Sequence, residues 1–178
     1  MKKQIMIVDG YNVIGNWPPL TKLKTQDRLP EARDLLLDTL ANYQKFIGGK
    51  IIVVFDAMYV PGMKEKYTKW NLDVIFTPED VTADTYIQDM SGQLNTVRNQ
   101  VTVVTSDQAV QWTIFSRGAN RLPSYELYKR IKKMNQELKH ESSKKHNPEL
   151  QRNNPWNDQQ LDKLAKLRDN LAKKDSKK

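Results

Sequence analysis

The 178-residue sequence predicts a three-layer α/β domain with a mostly parallel central sheet, followed by a basic helical C-terminal extension. Three observations carry that prediction. Short apolar runs rich in β-branched residues recur through the first 128 residues, each too short for a helix. Stretches with helical spacing of apolar residues separate them, long enough for right-handed crossovers between parallel strands. Beyond residue 128 the chain turns basic and the strand pattern stops.

The elements follow in order. Strands are predicted over residues 4–8 and 51–55, the second reading IIVVF. Between them lies a helix with Pro30 near its start, Leu36, Leu40, Tyr43 and Ile47 at helical spacing, and Gly48-Gly49 after its end. Residues 72–76 alternate more weakly and form a further strand. A helix over about residues 82–94 sets Ile87, Met90 and Leu94 on one face. The strand 101–104 follows, then a helix from after Asp107 through Trp112 and Phe115, both expected in the core. A connection over 121–123 leads to a helix from Ser124 to about Glu141 with Tyr128, Ile131, Met134 and Leu138 as its stripe. Residues 142–157, rich in Ser, Lys, Asn and Pro, read as a linker, and 158–174 as one amphipathic helix through Leu161, Leu164, Leu167 and Leu171. The expected organisation is a body over residues 1–128 and an extension over 129–178.

Composition narrows the function classes. Without cysteine there is no disulfide framework and no cysteine-ligated zinc, and a reduced, cytoplasmic location is the expectation. The longest apolar run, 51–55, falls far short of the roughly 20 residues of a membrane span. Asp9 stops the apolar run behind Lys2 and Lys3 before it reaches signal-peptide length, so neither export nor a membrane partner is expected. Residues 1–128 hold 14 Lys+Arg and 14 Asp+Glu, whereas 129–178 hold 15 and 7, so the whole net charge of +8 sits in the extension. A neutral body with a basic tail suits a polyanion such as RNA, although a merely solubilising tail has the same composition. No GxxxxGKS/T and no GxGxxG occurs, so no nucleotide cofactor is expected. His140 and His146 lie in the tail region away from any acid or nucleophile motif, and no GxSxG is present, which removes histidine-based and acyl-enzyme mechanisms.

Acids mark the place where chemistry is expected. Asp9 ends the first strand, Asp56 the second, Asp107 the strand 101–104, and Asp84 opens a helix. In an open parallel sheet all strand C-termini share one edge, the edge where ligands bind. Crowded carboxylates raise one another's pKa and are relieved by a hard cation; oxygen donors without His or Cys select Mg²⁺ or Mn²⁺. Such a site suits phosphodiester hydrolysis. Each aspartate taken alone also fits a turn former or helix cap, and Glu79 and Asp80 compete with Asp84. Asn12 can donate its amide to a phosphate or to ligated water; Ser106 either caps the following helix or faces the site.

The strings IVDGYNVIG, VVFDA, TADTYI and VVTSD, in this order and spacing, resemble the NYN-domain, PIN-like nucleases, and most closely the bacterial YacP-like endoribonucleases. The resemblance spans roughly residues 4–128, and EARDLLLDTLANY and QWTIFSRGA fit the same pattern. It implies a PIN-like (NYN) fold, Mg²⁺-dependent RNA cleavage, and Asp9, Asp56, Asp84 and Asp107 as site carboxylates with Asn12 in the first motif. Under that resemblance Asp9, Asp84 and Asp107 hold one or two ions, supported by Asp56. Because this branch includes ribosome-associated endoribonucleases that cut mRNA during translation, it also implies mRNA as substrate and the ribosome as partner. Residues 142–178 match no part of the pattern.

For substrate contact, Lys64, Lys66 and Lys69, interleaved with Tyr67 and Trp70, form a basic, aromatic stretch that could follow an RNA backbone or be a solvated loop. Arg33 could reach phosphate or pair with Glu31, Asp34 or Asp38. The competing function is a catalytically silent RNA- or ribosome-binding module. A receiver-type domain fits poorly, since Asp9 is followed by Gly10 rather than by a second acid.

Overall fold

The computed structural model describes residues 2–57 and 71–145, with side chains through His140. Strands and helices alternate: β1 (Lys3–Asp9), α1 (Gly10–Asn16), α2 (Pro18–Thr25), α3 (Leu29–Ile47), β2 (Lys50–Phe55), β3 (Asp73–Phe76), α4 (Ala83–Leu94), β4 (Asn99–Val104), α5 (Gln108–Ser116), β5 (Asn120–Leu122) and α6 (Ser124–Lys145). The sheet order is β3-β2-β1-β4-β5 with every pairing parallel. The chain divides into two units, Met1–Asn135 and Gln136–Lys178. The linker expected over 142–157 lies almost wholly outside the described residues, and the helix expected over 158–174 lies entirely outside them. Among the described residues no helix is long and apolar enough to cross a membrane.

The three layers follow from alternation along the central strands. Val8, Ile51, Val53, Phe55 and Val104 face one side, where they bury against Val13 and Ile14 of α1, Leu20 of α2, Leu36, Leu37 and Leu40 of α3, and Ile131 and Met134 of α6. Ile5, Ile7, Ile52, Val54, Val101 and Val103 face the other, against Ile87 of α4 and Val110 and Ile114 of α5. Gly48, at φ 64°, ends α3 with its N–H on the Gln44 carbonyl at 3.0 Å. Gln44 then aligns the next strand: its Oε1 accepts from the Ile51 N–H at 2.7 Å, and its Nε2 donates to the Asn71 carbonyl at 2.9 Å.

Three features depart from the sequence expectation. Residues 10–25 form two short helices, α1 and α2, where Gly10, Gly15, Pro18 and Pro19 give no long period; Trp17 ends the first and Pro18 opens the second. The connection at 121–123 contains β5, a three-residue edge strand too short to show alternation. Trp112 and Phe115 are not core residues: they are 66% and 62% exposed, because Val110 and Ile114 take the inward face of α5.

Candidate active site

Strand register brings the acids to one edge. Asp9 pairs level with Val54 of β2, and Val8 level with Val104 of β4, so Asp56 and Asp107 emerge just past the same rim. Asp84 reaches that rim from the first turn of α4, whose N-cap is Thr82, with its Oγ1 accepting from the Thr85 N–H at 3.3 Å. Asp84 is thus released from capping. A cavity of about 210 Å³ is lined by Asp9, Tyr11, Asp56, Thr82, Ala83 and Asp84, with no Lys or Arg among them. Glu79 and Asp80 sit in the exposed turn before α4 and do not line it.

Asp9 is the anchor, 6% exposed. It caps α1, with Oδ1 accepting from the Asn12 N–H at 3.2 Å, while Oδ2 accepts from Thr105 Oγ1 at 3.2 Å. Thr105 Oγ1 in turn accepts from the Asp107 N–H at 3.2 Å, and its carbonyl accepts from Gln111 Nε2 at 2.6 Å. Asp107 caps α5, Oδ1 accepting from the Ala109 N–H at 2.8 Å and the Val110 N–H at 3.4 Å. Burial pushes the Asp9 carboxyl up to about 6, and Asp84 and Asp107 add repulsion, against the lowering effect of its Asn12 and Thr105 hydrogen bonds. Burial, then Asp107 and Asp56, raise the Asp84 carboxyl. The four acids therefore feel one another across the rim.

Gly10 lets this edge close. A Cβ there would stand 2.2 Å from Phe55 Cε1, in a ring that is fully buried and stacked on Phe76 with centroids 5.5 Å apart. The glycine after Asp9 is thus a packing requirement of the rim.

Asn12 lies beside the acids and works through its side-chain oxygen. Oδ1 accepts from the Ser106 N–H at 2.9 Å, from Ser124 Oγ at 2.7 Å and from Asn16 Nδ2 at 3.2 Å. Ser106 Oγ accepts from the Ser124 N–H at 3.2 Å, so Asp107, not Ser106, is the cap of α5. The Ser124 carbonyl accepts from Trp17 Nε1 at 2.8 Å. This network ties α1, the β4–α5 turn and the start of α6 together. Thr105, Ser124 and Tyr11 were not singled out from sequence; the Thr105-Ser106 pair ahead of Asp107 in VVTSD and the tyrosine of DGYN were the available signals.

Arg33 is 4% exposed, and its Nη1 donates to the Tyr11 hydroxyl at 3.2 Å. Its Nε has no hydrogen-bond partner among the described residues. Arg33 therefore stands behind Tyr11, a lining residue of the acidic cavity, and not on the open surface. Lys64, Lys66 and Lys69, with Tyr67 and Trp70, lie outside the described residues.

Oxygen-only donors, with no cation among the described residues lining the cavity, match a hard divalent ion in chemistry. Among the described residues no three acidic or histidine side chains stand together at the spacing of direct ligands to one ion. The fit is one of donor chemistry and charge.

The model of the family described as the YacP-like NYN domain matches residues 6–169, which carries the likeness past residue 142 into the tail. The chain is 45% identical over 127 residues to the uncharacterized protein YacP of Bacillus subtilis, covering 71% of this chain and 74% of that protein. The crystal structure of Rae1 (YacP) from Bacillus subtilis superposes with a TM-score of 0.69 at 37% identity, covering 97% of this chain and 92% of the other. That of a mutant of the same protein gives 0.69 at 38%, over 80% and 83%. With matched motifs, an all-parallel sheet and acids gathered at its C-terminal rim, the chain belongs to the YacP-like NYN domain family, whose PIN-like fold is of the nuclease type.

Proposed function

We propose that this protein is a metal-dependent endoribonuclease that hydrolyses RNA phosphodiester bonds, acting on mRNA at the ribosome. The observation that carries this reading is the convergence of Asp9, Asp56, Asp84 and Asp107 from four separate elements on one rim, three of them lining a cavity with no basic residue among the described residues of its wall. Asp9, Asp84 and Asp107 are the residues that would hold Mg²⁺ or Mn²⁺, with Asp56 supporting them. A divalent cation at such a site supplies Lewis acidity toward a phosphodiester and lowers the pKa of water. The chain's own residues hold the donors still: Thr105 links Asp9 to Asp107, Asn12 and Ser124 lock the β4–α5 turn, and Arg33 supports Tyr11 at the cavity wall. The ribosomal setting and the mRNA substrate rest on the resemblance to the ribosome-associated branch of the family. The basic extension agrees with both.

The test is mRNA cleavage in a purified translation reaction, with 5′ ends mapped for wild type and for an Asp9→Asn/Asp84→Asn variant. Ends made by wild type should fall by more than about a hundredfold in the variant, the scale expected when charge-stabilising groups are removed. Undiminished cleavage by a folded variant sinks the assignment. Independently of activity, Mg²⁺ or Mn²⁺ should raise the melting temperature of wild type and not that of the double variant.

A further inference from the structure

The exposed face of α5 and the edge strand β5 carry a second cluster that the acidic rim does not use. Trp112 and Phe115, three residues apart on one side of α5, are both exposed. Arg121 of β5 points away from its buried neighbour Leu122 and toward α5, and its Cζ stands 5.8 Å from each ring centroid. Among the described residues no carboxylate pairs with Arg121. The support is rigid: Arg117 Nη1 donates to the Gln88 carbonyl at 2.7 Å and bonds Asp89 at 3.3 Å, and Gly118 at φ 75° turns the chain into β5. Beside the rings a groove of about 400 Å³ is lined by Phe115, Asn120, Arg121, Arg130 and Thr102, among others.

We infer that Trp112, Phe115 and Arg121 form a stacking platform for an unpaired RNA base, with Arg121 and Arg130 taking the flanking phosphates. This rests on the reading of the protein as one that acts on RNA. Exposed aromatic faces and a guanidinium plane offer π-surfaces to any base, and a base inside a duplex hides the faces they need. The groove has room for a nucleotide and is lined by Arg121 and by Arg130, which also bonds Glu126 at 3.4 Å, with no acid among the described lining residues; together with the exposed rings this complements a base and its phosphate and not a cationic or purely apolar partner. Its position is apt. β5 runs through Pro123 into Ser124, which is bonded to Asn12 and Ser106 at the acidic rim, so at most about 10 Å of chain separates Arg121 from that rim. RNA lying across the acids would meet the platform within a few nucleotides.

The experiment measures binding of the full-length protein to a fluorescein-labelled single-stranded RNA and to a duplex of the same sequence, by anisotropy in the Asp9→Asn background. Trp112→Ala/Phe115→Ala should weaken single-strand binding by about tenfold or more and leave duplex binding unchanged, and the single strand should quench Trp fluorescence. Arg121→Lys, which keeps the charge but loses the planar group, should give an intermediate loss. Unchanged single-strand affinity in the double variant overturns the platform while leaving the nuclease reading to the cleavage test. So does an equal loss for single strand and duplex, or a loss of ribosome co-sedimentation with RNA affinity intact, which would make the cluster a protein-docking surface. If the parent protein binds no single-stranded RNA, the platform is likewise overturned.

Discussion

The acidic rim and the aromatic–arginine face are both held by rigid backbone, yet they are built on opposite terms. At the rim, Asp9 is buried, each of its carboxylate oxygens accepts a hydrogen bond, and the groups that satisfy it are themselves tied to Asp107, Asn12 and Ser124. On the α5–β5 face the rings stand in solvent and touch a cation that the fold does not need for closure. Changes at the rim must therefore register in stability as well as in chemistry. Changes on the aromatic face should register only in what binds there.

The largest expected stability effect comes from Asp9 itself. Its folded-state carboxyl lies near 6 against 3.8 for an ordinary one, so in the metal-free protein the folded state holds the extra proton between those values. This group's contribution is fully favourable below about pH 4 and is lost as the pH rises through about 6, a penalty of up to about 3 kcal/mol at neutral pH. Asp9→Asn should accordingly stabilise chelator-treated protein at pH 7, with the gain vanishing toward pH 4 in urea melts. A variant equally destabilised at both values would show that the rim's hydrogen bonds outweigh its charge.

Gly10→Ala comes next, at about 2 kcal/mol of destabilisation, since the new Cβ meets the Phe55 ring. Pairing it with Phe55→Leu should recover part of the loss, giving a clear coupling in a double-mutant cycle. Additive losses would mean the backbone has moved instead. Ser124→Ala should cost about 1 kcal/mol, because Asn12 Oδ1 keeps the Ser106 N–H as donor when the Ser124 hydroxyl is removed. The smallest effect belongs to the other region: Trp112→Ala and Phe115→Ala should each shift stability by no more than about 0.5 kcal/mol. A loss of 2 kcal/mol there would erase the distinction between the two regions.

Much of the fold was legible before the structure. IIVVF and the run ending in Val8 are β-branched and apolar on both faces, which is what a strand covered by helices on each side requires. The helices predicted around Leu36–Ile47 and Ile87–Leu94 appear as α3 and α4, since their stripes repeat over about three turns and about two on segments long enough to complete them. α1, α2 and β5 were not legible, because seven, eight and three residues do not complete enough periods to be told from loop. Trp112 and Phe115 misled for a related reason: side-chain hydrophobicity marks a preference for burial, but only the rotation of α5 on the sheet decides which residues receive it.

At the site, sequence alone determined the identity of the acids and their placement at strand ends and a helix start, because strand boundaries and local capping are short-range properties. Tertiary structure alone decided that β1 lies between β2 and β4, so that Asp9 sits in the middle of the rim and becomes the buried acid. It also decided that Asn12 spends its oxygen on Ser106 and Ser124, that Arg33 turns inward to Tyr11, and that Arg121 meets two exposed rings. Strand order and helix rotation depend on contacts between residues far apart in the chain, and no local pattern encodes the desolvation and the partners that those contacts impose.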